Sequence, residues 1–220
     1  MGILTKQSLS ETTATLEVLE AKGVNAEHWT RVRSNKDYAE QVAGGFLGRS
    51  ATDMTAVSPL LILIGLAKVL AFPTGGTVKK LIRVDVSESA AVAIGYVDPV
   101  VTKWFGKLQV ELSADTTLAY NRLARDSRDF PILGMLDGKE ETTWGEIYSL
   151  MKAQPRGPAS SGGPLITGGY ANIFYVRDSE GELRAVSVDW RAVSRGWCVL
   201  AYSVADRSRW FAGYRVFSRN

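Results

Sequence analysis

The last quarter of the chain most constrains its fold. NIFYVRD, ELRAVSVDW, GWCVLAYSV and GYRVFSR follow one another between residues 172 and 219. Each is short, rich in β-branched and aromatic residues, and bounded by turn-forming residues, as strands are. The first two are joined through DSEG, a compact hairpin signal with Gly181 at its end. In ELRAVSVDW, Leu183, Ala185, Ser187 and Asp189 point one way, and Arg184, Val186, Val188 and Trp190 the other. Neither set is cleanly apolar, so both faces of this strand are expected to be partly covered. A chain ending this way must build a sheet, and the hairpin signal predicts an antiparallel one.

Upstream, helix signals dominate. Ser8 with Glu11 has capping-box spacing, and Gly23 is a helix stop. Asn25 can cap a second helix and Ser34 a third, in which Tyr38, Val42 and Phe46 share one face. These predict a helical module over 1–50, with a glycine-rich link around 44–56. PLLILIGLAKVLAF, residues 59–72, is apolar on all sides between two prolines and predicts a buried helix over 60–72. LIRVDV (81–86), VAIGYV (92–97) and LQVEL (108–112) read as strands. Asp115 is placed to cap a helix running to about residue 125, and Thr143 with Glu146 to box the start of WGEIYSLMKAQ. PRGPASSGGP, 155–164, is a flexible loop. The expected fold class is therefore α+β: a helical module over 1–50, then a mixed domain over 57–220 with a C-terminal antiparallel sheet.

Composition narrows the chemistry. One cysteine, Cys198, and one histidine, His28, exclude an internal disulfide framework and make a structural zinc site unexpected. No glycine-rich segment has the order of a phosphate-binding loop; TGGTVKK at 74–80 has the residue types only. The N-terminus lacks the basic-then-apolar order of a signal peptide. The 14-residue apolar run falls short of the roughly 20 residues needed to span a bilayer. A cytoplasmic location without cofactors follows as the expectation. The carboxylates Asp126, Asp129, Asp137, Glu140, Glu141 and Glu146 interleave with Arg122, Arg125, Arg128 and Lys139, which reads as a solvated, ion-paired face. Were a divalent metal held there, Asp126 and Asp129 are the first candidate ligands.

Charge is distributed unevenly. Residues 161–220 carry eight Arg, no Lys and five acidic residues. Arginine suits flat, bidentate contact with phosphate or carboxylate. Trp190, Trp197, Tyr202, Trp210, Phe211, Tyr214 and Phe217 interleave with these arginines. Such rings can stack on bases, serve as hot spots of a protein interface, or simply fill the core of a small sheet. Arg191, Arg195, Arg207 and Arg209 fall in loops. With Trp210, Tyr214 and Arg215 they are the candidate partner-binding set.

Several segments carry a resemblance. GVNAEHWTRVRSNKDYAEQVA, TTWGEIYSLMKAQP, GGYANIFYVRDSEGELRAVSVDW and the closing GYRVFSRN resemble modules of candidate-phylum bacterial proteins, which implies a modular bacterial protein but no particular activity. A helix before a long loop, with closure on GYRVF, is similar to C-type-lectin-like modules; that implies binding loops without catalytic residues, although their usual disulfides and calcium motif are missing here. The functional expectation is non-catalytic macromolecular binding, to protein or nucleic acid, through the C-terminal Arg/aromatic face. The alternatives are a metal-assisted hydrolase using the carboxylates of 126–146 and membrane association through 57–72.

Overall fold

Strand pairing, rather than helix packing, organises the chain. The computed structural model describes residues 59–71, 75–160 and 163–220, which fall within one unit, Ser58–Asn220. Among them seven strands form one sheet: Leu61–Val69 (β1), Ile94–Val97 (β2), Thr116–Leu123 (β3), Asn172–Arg177 (β4), Leu183–Arg191 (β5), Gly196–Ser203 (β6) and Arg215–Arg219 (β7). Their spatial order is β1-β3-β7-β4-β5-β6-β2. The pairs β4–β7 and β2–β6 are parallel; the rest are antiparallel. The helices are short: Val78–Leu81 (α1), Pro99–Phe105 (α2), Asp129–Leu136 (α3) and Trp144–Ala153 (α4).

This corrects the expected fold class. The described residues are dominated by one mixed sheet, not by helices leading into an antiparallel one. The proposed helical module over 1–50 lies outside the described residues. Where a buried helix was expected over 60–72, Leu61–Val69 is the edge strand β1, and Leu63, Leu66 and the following Leu70 are exposed. A short apolar run has no period that separates the two states, so the partner strand decides. Here β3 is that partner, and Gly65 lets it approach: a Cβ there would sit 2.7 Å from the Tyr120 hydroxyl. No helix among the described residues is long and apolar enough to cross a membrane.

The helix expected after Asp115 is β3. Asp115 accepts from the Ala71 backbone N–H at 2.9 Å and meets the Lys68 ammonium at 3.2 Å, so it ties the end of β1 to β3. Of the predicted strands at 81–86 and 108–112, only isolated bridges form, at Asp85, Gln109 and Leu112. The strand predicted at 92–97 is present as β2, and the four C-terminal strands are β4 to β7. Gly181 closes the β4–β5 hairpin at φ +85°.

Alternation along the strands makes two cores. On one face Phe174, Val176, Val186, Val188, Trp197 and Phe217 pack against Ile147, Leu150 and Met151 of α4. On the other, Ile173, Tyr175, Ala185 and Val216 pack against Ile132 and Leu136 of α3. The predicted box of α4 is formed: Thr143 Oγ1 accepts from the Glu146 N–H, and Glu146 Oε2 accepts from the Thr143 N–H at 2.9 Å. Glu146 is fully buried, and its other oxygen accepts from Thr116 Oγ1 and pairs with Arg219. One carboxylate thus starts a helix and fastens it to β3 and β7. The residues on either side of the segment 155–164 are held together, because the buried Gln154 exchanges two hydrogen bonds with the backbone of Leu165.

Gly145 in α4 lies against backbone; a Cβ there would sit 1.8 Å from the Glu111 carbonyl oxygen. Gly145→Ala is expected to cost at least about 2 kcal/mol in urea unfolding, because backbone cannot yield as a side chain can. Gly134, in α3, has open space where its Cβ would be. Gly134→Ala should stabilise by about 0.5–1 kcal/mol through helix propensity alone.

Candidate binding cleft

The antiparallel steps from β6 to β5 to β4, and the parallel step to β7, make β6 and β7 parallel. Residues 204–214 must therefore travel back along the sheet to start β7. They do so over the α3 face. Trp210 exchanges backbone hydrogen bonds with Ser127 at 2.7 and 3.0 Å, and Gly213 donates to the Leu123 carbonyl. Asp126 accepts from the Ala212 N–H at 2.9 Å. The Trp210 indole N–H donates to Asp129 Oδ1 at 2.7 Å, and the Tyr175 hydroxyl donates to the same oxygen at 2.8 Å. The crossover is thus fastened to the segment 123–129 at four points.

Between this crossover and the sheet lie two adjoining hollows that share Tyr202, Trp210 and Tyr214 as walls. The larger, about 360 Å³, has Ser187, Asp189 and Arg191 in its lining. The smaller, about 190 Å³, is completed by Asp129, Asp206, Ser208, Arg209 and Phe211. The rings stand nearly perpendicular: Tyr202 to Trp210 at 86°, Phe211 to Tyr214 at 80°, Tyr170 to Tyr214 at 87°. Phe211 and Tyr170 are exposed, Tyr202 and Tyr214 half-buried, and Trp210 buried.

Electrostatics follow from burial. Desolvation pushes the Asp129 carboxyl up to about 6, against the opposing pull of the Trp210 and Tyr175 donors, and Asp206 adds to the rise. Desolvation and then the Asp189 charge raise the phenols of Tyr202 and Tyr214. Asp189, itself buried, pairs with Arg191 and holds that guanidinium protonated. Burial, helped by Asp189, lifts the Cys198 thiol to about 11, so at neutral pH it is an inert thiol on this face.

Of the candidate set, Arg191, Arg209, Trp210 and Tyr214 come together around the cleft. Arg207 is exposed on the crossover, between Asp206 and Ser208. Arg195 is exposed in the β5–β6 turn at φ +49°. Arg215 does not join them. Its guanidinium lies over the Tyr120 ring at 5.0 Å and donates to the Pro164 carbonyl, on the α4 side of the sheet. Trp190, Trp197 and Phe217 are core residues of that same side. The residues the sequence reading did not single out are Ser187, Asp189 and Asp206. For the first two a signal existed: they are the polar end of one alternating strand face.

The carboxylates of 126–146 do not converge. Asp126 and Asp129 hold the crossover, Glu141 pairs with Arg177 at 2.9 Å, and Glu146 is bound inside the α4 core. Asp137 ends α3 in the left-handed conformation. Among the described residues no group of three His, Cys, Asp or Glu is placed to hold a metal ion. His28 lies outside the described residues. Comparison with protein-family models, with curated proteins and with solved structures gives no match.

The folded-state value of Asp129, about 6, stands above the 3.8 of a free side chain. The neutral carboxyl therefore stabilises the fold fully below about pH 4, and this contribution is lost as pH rises through 6. Asp129→Asn should remove that dependence. Wild-type stability relative to the variant is expected to fall by about 3 kcal/mol between the ends of this window, in urea unfolding across pH 3.5–7.5.

Proposed function

We propose that this protein is a non-catalytic binding module that docks a segment of another protein in the cleft beneath the 204–214 crossover. The observation that carries this reading is the convergence of Tyr202, Trp210, Phe211 and Tyr214 with Arg191 and Arg209 on one concave strip. Tyr, Trp and Arg in a partly desolvated hollow are the groups that dominate protein interfaces. Arg209 lines the smaller hollow and Arg207 is exposed two residues before it, so each can meet carboxylates of the partner. A cytoplasmic setting belongs to the same proposal.

Nucleic acid is the less favoured partner for a specific reason. Asp129, Asp189 and Asp206 lie in the lining, so a phosphate backbone entering the cleft meets carboxylates. Four of the eight arginines of the C-terminal segment, Arg177, Arg184, Arg191 and Arg219, are ion-paired within the chain.

Peptides selected from a random display library and measured by fluorescence anisotropy test the reading. Tyr214→Ala and Phe211→Ala should each weaken a selected peptide by about 5- to 50-fold, as loss of a hot-spot contact does, and the exposed Arg207→Ala by less than about 5-fold, with unchanged circular dichroism. Salt should change the affinity little. Binding of oligonucleotides with a steep salt slope, and of no peptide, replaces the protein partner with nucleic acid.

A further inference from the structure

The smaller hollow has a chemistry of its own. Its walls are the rings of Tyr202, Trp210, Phe211 and Tyr214, and its charged lining is Asp129, Asp206 and Arg209. Two carboxylates against one guanidinium leave it net negative. Ring faces carry negative potential that attracts a cation, and an edge-to-face pair uses only one face of one of its two rings. Tyr202 and Trp210 meet at 86° with centroids 5.4 Å apart, and Phe211 and Tyr214 at 80° and 5.9 Å. We infer that this hollow is a cation site that takes an alkylammonium group, the head of a lysine or N-methylated lysine side chain.

The carboxylates decide between ammonium and guanidinium. A guanidinium is best held by two carboxylate oxygens presented together. Asp129 Oδ1 is already engaged by Trp210 and Tyr175. Asp206 Oδ1 is engaged by the Ser208 N–H and hydroxyl, each at 2.9 Å. Neither offers a free pair of oxygens. A quaternary ammonium has no N–H groups to satisfy and needs only ring faces and nearby negative charge. The volume of about 190 Å³ accommodates such a head with its adjoining methylenes. Arg209 is the one opposing charge in this lining; its exposed side chain can swing outward when a cation enters.

This inference rests on the binding-module reading, and the test separates the two. The probes are choline and its neutral isostere 3,3-dimethylbutan-1-ol, titrated into the full chain while the indole resonance of Trp210 and the ring resonances of Phe211 are followed by NMR. Choline is expected to give saturable shifts and the isostere none. Asp206→Asn and Phe211→Ala should weaken choline by about 3- to 10-fold, and Arg209→Ala should strengthen it by about 2- to 5-fold. Equal binding of the two probes, weakening by Arg209→Ala, or no saturable choline shift overturns the cation site. Display-selected peptides that bind in the cleft without competition from choline leave the binding module standing and remove the cation site alone. Choline binding without any peptide ligand does the reverse.

Discussion

The structure depends on where its last strand goes. β7 enters between β3 and β4, in the middle of the sheet, and runs parallel to β6. A parallel return cannot be a tight turn, so the chain must be carried back over a sheet face before it can pair. The eleven residues between β6 and β7 do this on the side of α3, and Asp129 secures them. One buried oxygen accepts from a tryptophan of the crossover and from a tyrosine of β4. Without that anchor the indole N–H would be buried without an acceptor, at a cost of about 1–3 kcal/mol. The cleft is the space this crossover leaves above the sheet.

Placing β7 centrally also explains why arginines divide between two roles. Alternation sends Arg215 and Arg219 to the α4 side, where one lies on the Tyr120 ring and the other meets the buried Glu146. Glu146 already receives the first turn of α4 and the Thr116 hydroxyl. A fully buried carboxylate is tolerated only when its oxygens are satisfied, and four groups from three elements do this. The same alternation sends Arg191, which ends β5 and is not the loop residue the sequence suggested, to the opposite face with Ser187 and Asp189. Arg209 reaches that side from the crossover, whose rings stand beside both.

How much of this was legible varies by residue. The capping box at Thr143 and the hairpin at Gly181 are local, so four or five consecutive residues specify each of them. The four C-terminal strands show because their alternation and turn signals agree. The run at 60–72 and the segment after Asp115 were misread for one reason: each can satisfy its backbone alone as a helix or together as a ladder. β1 and β3 choose the ladder because each supplies the other, 47 to 62 residues away in sequence. The cleft was half legible. Trp210, Tyr214, Arg191 and Arg209 stood out by type, whereas Asp206 carried no signal and Asp189 only its place at the polar end of one strand face, until the crossover brought them beside the same rings.

By itself the sequence determined the local elements: where α4 starts, where β4 turns into β5, and which side chains of each strand share a face. These follow from backbone geometry and nearest neighbours, and need no knowledge of the remainder. Tertiary structure alone decided the strand order, the parallel insertion of β7 and hence the face on which the crossover lies. Those choices are made by pairing between distant segments, whose backbone groups are interchangeable and carry no residue-specific label. The cleft belongs to this second class: its side chains are written in the sequence, but their meeting place is set by the path of the chain.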